Sequence, residues 1–275
     1  MRLGFASLFS CALACAMACG CSDGPDPARD AGSDAGMSGV DWVTKVTEFV
    51  PGVFDGDGLE GVEVCVEPAS PPSCFTTDDE GHATLRGLPP AKEVLIVYRK
   101  EGYRPVLLPF RAPRFSSDAG FEIRMFGVDM ELPYPDAAPK QDWETLGEVA
   151  FGRFNQSGGF GLPPQAFATL EPSSGEGPYL VNQAEDHAVP APSDEQTQYG
   201  VYLNVEPGDY ELVYNDASGR CEWYPGPQAG WQAKSGRKNA ARTVVRAGHI
   251  TWPAAVFCAD VSGADAGADA DAGAE

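Results

Sequence analysis

The clearest strand pattern in the chain is Val62-Glu63-Val64-Cys65-Val66, in which the valines alternate onto one face. A period of two is typical of a half-buried β-strand. A turn cluster, Asp55-Gly56-Asp57-Gly58, precedes this strand, and a second, Thr76-Thr77-Asp78-Asp79-Glu80-Gly81, follows it. The pattern predicts a short strand between turns, which is the repeating unit of an antiparallel sheet.

Similar strand patterns recur along the chain, separated by Gly and Pro. The next ones cover residues 82–86, 94–98, 106–108 and 121–126. The 32 glycines and 24 prolines disfavour helix interiors. No segment carries a sustained apolar stripe of helical period. The sequence therefore predicts an all-β protein made of antiparallel Ig-like or transthyretin-like sandwiches.

The order of these motifs resembles the carboxypeptidase regulatory-like domain, which has a transthyretin-like β-sandwich. The resemblance covers about residues 44–126. It is carried by Val53-Phe54-Asp55, Leu59-Glu60-Gly61-Val62-Glu63-Val64, the turn at 76–81, Leu85-Arg86-Gly87-Leu88-Pro89 and Gly102-Tyr103. It implies a sandwich of about seven strands that occurs as an accessory or surface-protein segment and does no chemistry.

A second, more divergent copy follows the first. Its strand patterns are 148–154, 161–170, 201–214 and 244–251, and Pro207-Gly208-Asp209-Tyr210 is a typical turn into a strand. An insert rich in Pro, Ser and acids at 171–198 replaces a short hairpin. We therefore predict two tandem sandwiches, at 43–130 and 146–260, joined by a Pro-rich linker at 131–145.

The amino terminus has the pattern of an export signal. Residues 1–18 carry one positive charge and a short apolar run, which predicts a secretory signal rather than a membrane span. The next residues, Ala18-Cys19-Gly20-Cys21, resemble a bacterial lipoprotein lipobox, with Cys19 or Cys21 as the lipidated residue and Cys15 as a third choice. The alternative is a cleaved signal that releases a soluble product. We expect a lipid-anchored protein of the cell envelope, in the outer membrane of a Gram-negative bacterium.

Both ends of the mature chain are acidic and poor in apolar residues. Residues 19–42 predict a flexible acidic tether, and residues 261–275 predict a disordered acidic tail. Such a tether spans about 25 Å as a random coil. The sandwiches would therefore stand a short distance from the membrane.

Four cysteines remain for the folded part. An even number in an oxidising compartment predicts disulfides, and proximity along the chain favours the pairs Cys65–Cys74 and Cys221–Cys258. A zinc site is the competing use of four cysteines, but it normally needs closely spaced pairs such as CxxC, which the sequence lacks.

Charge and motifs argue against several function classes. A formal net charge of −21 argues against nucleic acid or an anionic membrane surface as the partner. The sequence has no GxSxG, HExxH or phosphate-binding glycine motif, and its three histidines are far apart. The 55–58 cluster could be half of a calcium loop, but plain turn chemistry explains it. We therefore predict no enzyme, no cofactor and no metal.

The most unusual segment is a Pro/Gly-rich loop that carries Trp223, Tyr224 and Trp231. These side chains could form a binding platform for a protein or a sugar, or they could cover the end of the core. The only basic cluster follows directly: Lys234, Arg237, Lys238 and Arg242. The predicted function is a non-enzymatic lipoprotein that presents β-sandwich modules for protein interaction. A glycan-binding module and an unrecognised enzyme are the alternatives.

Overall fold

The computed structural model describes residues 39–53, 56–68, 73–130, 138–155, 161–162, 164–215, 221–222, 230–252 and 256–258. All of them belong to the compact unit Ser38–Glu275. Within these ranges the secondary structure consists of β-strands, so the predicted all-β class is confirmed. None of the described residues belongs to a helix that is long and apolar enough to cross a membrane.

The first half of the unit forms a sandwich from seven strands. They are β1 (Val40–Glu48), β2 (Glu63–Glu67), β3 (Ser73–Thr76), β4 (His82–Leu88), β5 (Glu93–Arg99), β6 (Val106–Arg111) and β7 (Ser117–Met125). Strands β4-β1-β7 form one sheet, and β6-β5-β2-β3 face them. Trp42 lies fully buried between the sheets, with its ring 4.4 Å from that of Phe110.

The second half contributes the remaining strands of the described chain. They are β8 (Gly147–Phe151), β9 (Arg153–Asn155), β10 (Phe167–Glu171), β11 (Glu176–Asn182), β12 (Ala188–Pro190), β13 (Thr197–Val205), β14 (Gly208–Asn215), β15 (Cys221–Glu222), β16 (Trp231–Gln232), β17 (Ala240–Val245), β18 (Ile250–Thr251) and β19 (Val256–Cys258). The sheet β10-β14-β17-β16 packs on β12-β11-β13-β8. A third small sheet has the order β15-β19-β9.

The two sandwiches repeat one topology. In the first, β1 lies between β4 and the parallel strand β7. In the second, β8 lies between β13 and the parallel strand β18. The facing sheets also correspond, because β2-β5-β6 matches β10-β14-β17. The chain is thus a tandem pair of sandwiches, and the second copy differs mainly where β3 would be.

That difference comes from the insert at 171–198. It supplies β11, which pairs with β13 rather than with β10, and β12, which pairs with the other edge of β11. The alternation in this insert is weak, and two prolines lie within its strands, Pro178 in β11 and Pro190 at the end of β12. These features explain why the sequence pattern indicated a replaced hairpin and not a sheet extension.

Strand β18 joins the sandwiches into one sheet. Ile250 and Thr251 pair in parallel with β8 on one side and with β6 of the first sandwich on the other. Within the described residues this gives a nine-stranded sheet of order β12-β11-β13-β8-β18-β6-β5-β2-β3. The sheet β4-β1-β7 covers one face of its first-half strands, and β10-β14-β17-β16 covers the opposite face of its second-half strands.

Two boundaries differ from the sequence expectation. Strand β1 begins at Val40, so Val40, Asp41 and Trp42 belong to the first sandwich rather than to the expected tether. Of the expected linker, residues 131–137 lie outside the described residues. The residues after them fold against the second sandwich, where the Gln141 side chain accepts the Asn204 N–H at 2.7 Å. The domain boundaries as such stay a prediction.

Candidate functional site

Trp231 lies at the seam between the two sandwiches. Its backbone pairs with β17, and its indole N–H donates to the carbonyl oxygen of Val94 at 2.9 Å. The ring packs against the outer face of β5 and β6, and the Arg242 guanidinium stacks on it 4.5 Å from the ring centre. The indole is half-buried. Its N–H and one ring face are therefore used inside the molecule.

Glu93 of the first sandwich forms hydrogen bonds with two residues of the second sandwich at the same seam. Its carboxylate accepts the Gln232 backbone N–H at 3.0 Å and an Arg242 N–H at 2.5 Å. Arg242 thus bridges a carboxylate of the first sandwich and an indole of the second. Charge-assisted hydrogen bonds that are partly shielded from water are the stronger kind. The contacts hold the end of the predicted aromatic loop in place.

The other end of that loop is fixed by the small sheet. Cys221 lies directly opposite Cys258 in the antiparallel pair β15–β19, and Phe257 lies opposite Glu222. This register is the one that the predicted Cys221–Cys258 disulfide needs, and the bond itself stays a prediction. Trp223 and Tyr224 lie outside the described residues. The binding role of Trp223, Tyr224 and Trp231 is thus still a prediction. Of the three, Trp231 lies at the carboxyl end of the loop, in β16.

The predicted Cys65–Cys74 disulfide is present. The two cysteines lie directly opposite each other on β2 and the edge strand β3. Glu63 lies beside them, with a carboxylate oxygen within 4.8 Å of both sulfur atoms. Because both sulfurs are bonded to each other, neither is a thiolate that could bind zinc. The disulfide closes the edge of the shared sheet.

The Asp78 side chain of the acidic turns accepts hydrogen bonds from backbone N–H groups. The Asp78 carboxylate accepts the backbone N–H groups of Glu80 at 3.1 Å and His82 at 2.8 Å. A Cβ on Gly58 would lie 2.0 Å from the Glu80 carbonyl oxygen, so this close approach of two turns requires glycine. Asp55 lies outside the described residues. The described part of both clusters fits turn chemistry and not a set of ligands directed at one point.

The three histidines lie on different turns. His82 lies 4.0 Å from Asp78 and 3.7 Å from Glu80 at an exposed turn. His187 follows the β11–β12 turn, and His249 follows the β17–β18 turn. Burial lowers the pKa of His249, and its Nδ1 lies 2.7 Å from the Ala247 carbonyl oxygen. The contacts of His82 and His249 lie within their own turns, and none of them is a nucleophile–base pair.

Acids of both sandwiches pair with the basic cluster, whose member Arg242 binds Glu93 of the first sandwich. Lys234 lies 3.5 Å from Asp209, and Arg237 pairs with Glu171 and Glu211. The hydrogen bond from Arg237 lowers the pKa of Glu171. Since the Lys234–Asp209 and Arg237–Glu171 pairs are largely exposed, each of these two is worth little to stability. The cluster is consistent with internal charge balance.

A buried ion pair that the sequence did not indicate joins the sandwiches elsewhere. Glu185, in the β11–β12 turn, is fully buried, and Arg124 of β7 binds both of its carboxylate oxygens. Arg124 also donates to the Val53 carbonyl oxygen at 3.0 Å, and the Gly52 N–H donates to Glu185 at 3.0 Å. The guanidinium lies 4.6 Å from the Phe49 ring centre. No motif marks such a contact, because it depends on how the insert packs on β7.

Comparison with known proteins identifies no family. No protein-family model matches the chain, and no curated protein is similar to it in sequence. Among solved structures, it is similar to the TIE protein of Bacillus anthracis, with 12% identity and a TM-score of 0.25 over 80% of this chain. That match spans 34% of the TIE protein. It is also similar to the minor pilin of Streptococcus agalactiae, with 9% identity and a TM-score of 0.23, over 81% of this chain and 96% of the pilin. Similarity at this level supports neither a family nor a function.

Proposed function

We propose that the chain is a non-enzymatic, lipid-anchored envelope protein that presents a joined pair of β-sandwiches for protein interaction. The observation that carries this proposal is the shared sheet. Strand β18 of the second sandwich pairs with β6 of the first, so the two modules have a fixed relation rather than a free hinge. A fixed pair suits a protein that displays a surface at a set distance from its anchor.

The aromatic loop is the part of that surface where we place the partner. Its two ends are held by the Cys221–Cys258 register and by the contacts of Trp231. A loop that is fixed at both ends loses less conformational entropy on binding than a free one. Tyr and Trp side chains are also the commonest energetic anchors of protein interfaces. The proposed contact residues are Trp223 and Tyr224, since Trp231 already has internal partners.

The anchor is tested by detergent-phase partitioning of the exported protein. We expect the mature chain to enter the detergent phase, and the Cys19→Ala, Cys21→Ala double variant to stay in the aqueous phase. Cys11→Ala is the matched control, because it changes a cysteine inside the predicted signal and leaves both lipidation candidates in place. Detergent partitioning that survives the double substitution contradicts the anchor.

The partner site is tested by crosslinking in the native envelope. We expect a discrete protein adduct that is lost in Trp223→Ala, Tyr224→Ala and retained in Val128→Ala, a control at an exposed valine. Thermal unfolding of each variant shows whether the loop contributes to the core. An adduct that is unaffected by the double substitution excludes this loop. Capture of the chain by an immobilised glycan, lost in the same variant, would favour the glycan alternative.

A further inference from the structure

A second set of charged side chains joins the two sandwiches close to β18. Arg246 of the second sandwich donates to the Glu67 carboxylate of β2 at 2.6 Å. A guanidinium nitrogen of Arg99, in β5, lies 3.6 Å from the same carboxylate, and the other lies 3.9 Å from that of Glu63. One guanidinium from each sandwich therefore pairs with Glu67 at this part of the seam.

His249 is the residue directly before β18, and its ring is half-buried. Its Nδ1 lies 2.7 Å from the Ala247 carbonyl oxygen. Because a carbonyl oxygen can only accept, Nδ1 carries the proton of the neutral ring. The His249 carbonyl oxygen accepts the Glu148 N–H of β8 at 3.0 Å. The residue is thus fixed through both its ring and its backbone where the joining strand begins.

The backbone hydrogen bonds that follow His249 cross the seam. The Ile250 N–H donates to the Pro105 carbonyl oxygen at 3.0 Å, and the Trp252 N–H donates to that of Leu107 at 2.9 Å. Strand β18 is two residues long, so it has few backbone bonds to the first sandwich. A change of charge at residue 249 therefore acts next to the bonds that join the sandwiches.

The surroundings of His249 disfavour a positive charge on its ring. Burial, followed by the positive charges of Arg246 and Arg99, lowers the pKa of His249. The hydrogen bond to Ala247 and the Glu67 carboxylate act in the opposite direction and are outweighed. The ring is consequently neutral in the joined state at neutral pH.

Other charges lie on the elements that flank this turn. Glu148 of β8 lies opposite Ile250, and the guanidinium of Arg104, before β6, stacks on Trp143 at 3.9 Å from the ring centre. The remaining ones are Asp142 and Glu144 before β8, Arg111 at the end of β6, Glu93 at the start of β5 and Arg242 in β17. The charges that shift the pKa of His249 are Arg246, Arg99 and Glu67.

We propose that His249 makes the junction of the sandwiches sensitive to mild acid, because protonation of its ring places a third positive charge beside Arg246 and Arg99 and weakens the pairing of β18 with β6. When β18 detaches, the ring enters water, where histidine has a pKa of about 6.5. The neutral ring therefore favours the joined state above that pH, and this contribution is lost as the pH falls below it.

Detachment would change the surface that the protein presents. It would leave the backbone of β6 unpaired beside Leu107, which the joined state buries completely. An unpaired strand edge beside apolar side chains is a site for pairing with another chain. The proposal concerns the junction itself and depends neither on the proposed lipid anchor nor on the proposed partner.

The ion pair of Glu67 persists over the pH range in which histidine titrates. The hydrogen bond from Arg246, aided by the charges of Arg246 and Arg99, lowers the pKa of Glu67 although its burial acts in the opposite direction. Glu67 thus stays ionised between about pH 7.5 and about pH 5.5, where histidine changes its charge. Of the three histidines, His249 is the one that adjoins β18.

Hydrogen exchange of the full processed protein in detergent measures the junction. The reporting amides are those of Ile250 and Trp252, with rates corrected for the intrinsic effect of pH. One proton taken up on opening changes the open fraction by at most about tenfold per pH unit. Between about pH 7.5 and about pH 5.5, we expect the protection of both amides to fall by more than about 3-fold.

Control amides within each sandwich separate opening of the junction from general unfolding. The Val46 N–H donates to the Gly81 carbonyl oxygen in the first sandwich, and the Tyr214 N–H donates to that of Asn239 in the second, both at 2.8 Å. Their protection should stay constant over the same pH range. An equal fall at these amides overturns the proposal, and so does constant protection at Ile250 and Trp252.

Three variants test whether His249 is the cause. His249→Gln does not titrate but can still donate to Ala247, so it should keep its junction protection at about pH 5.5. The matched control, His82→Gln, changes a histidine on a distant turn and should respond as the unmodified chain does. Arg99→Gln removes one of the repelling charges and should reduce the fall.

The variants also define the results that overturn the proposal. A fall that persists in His249→Gln does so, as does a fall that is lost in His82→Gln. If His249→Gln already lowers the junction protection at about pH 7.5, Arg99→Gln decides the matter. In that case an unreduced fall in Arg99→Gln overturns the proposal, and a reduced fall supports it.

Discussion

Replacing Arg124 by Met tests whether the buried ion pair holds the two sandwiches together. The substitution removes both guanidinium hydrogen bonds to Glu185 and the bond to the Val53 carbonyl oxygen. The Glu185 carboxylate keeps the Gly52 N–H but stays fully buried. Removing one partner of a buried ion pair costs about 3–5 kcal/mol, because the other charge remains without compensation.

A loss of this size is large compared with the usual net stability of about 5–15 kcal/mol. The assay is urea unfolding of residues 38–275, followed by tryptophan fluorescence and circular dichroism. With an m-value of about 3 kcal/mol/M, the urea midpoint should fall by about 1–1.7 M. Because the shared sheet joins both halves, we expect the two probes to report one transition.

Two further variants separate charge burial from general damage. Arg124→Met combined with Glu185→Gln removes the buried charge and keeps an acceptor for the Gly52 N–H, so it should regain about half of the loss. Arg237→Met breaks the pairs with Glu171 and Glu211, but Arg237 and Glu171 are exposed and Glu211 keeps its two hydrogen bonds from Ser235, so the cost should be about 1 kcal/mol or less. The reasoning is refuted if Arg124→Met costs no more than Arg237→Met, or if the double variant is no more stable than Arg124→Met.

Three other outcomes follow from the fold. Cys65→Ala with Cys74→Ala should lower the unfolding free energy by about 2.7 kcal/mol, the loop-closure value for a separation of nine residues, as measured by urea unfolding with and without reductant. A fragment of residues 38–130 should be aggregation-prone in size-exclusion chromatography, because it leaves the β6 edge unpaired; a stable monomer would contradict the shared-sheet interpretation. Burial raises the pKa of Tyr202 to about 12, so stability should fall as the pH rises from about 10 towards 12. The part of the phenolate absorbance that is lost in Tyr202→Phe should then appear together with unfolding and not before it.

Most strands could be predicted from the sequence, because strand pairing imposes a period of two on each segment. The predicted strand at 62–66 is found at Glu63–Glu67, and that at 94–98 is found at Glu93–Arg99. The Cys65–Cys74 bond could be predicted because its partners are near in sequence. Each of these signals lies within about ten consecutive residues.

The contacts that join the sandwiches could not be predicted in this way. The sequence marks Trp231 by its aromatic neighbours, but its hydrogen-bond partner Val94 is 137 positions away. Arg124 and Glu185 are separated by 61 positions. Such pairs depend on packing between elements, about which a single sequence carries no local pattern.

One sequence signal for the joined architecture was present in β5. Its residues Val94, Leu95, Ile96, Val97 and Tyr98 are apolar without alternation, and the structure buries all of them. A continuous apolar run indicates a strand that is covered on both faces, whereas an isolated sandwich would leave one face in water.

The second sandwich supplies that cover. Leu95, Val97 and Leu107 point away from the core of the first sandwich and lie under Trp231 and Val244. Full burial of one such side chain contributes about 1.5–3 kcal/mol, so the three together favour the joined state by about 4.5–9 kcal/mol. This is comparable to the net stability of a whole domain. The apolar run in β5 is therefore better explained by a fixed pair of sandwiches than by two that move independently on a linker.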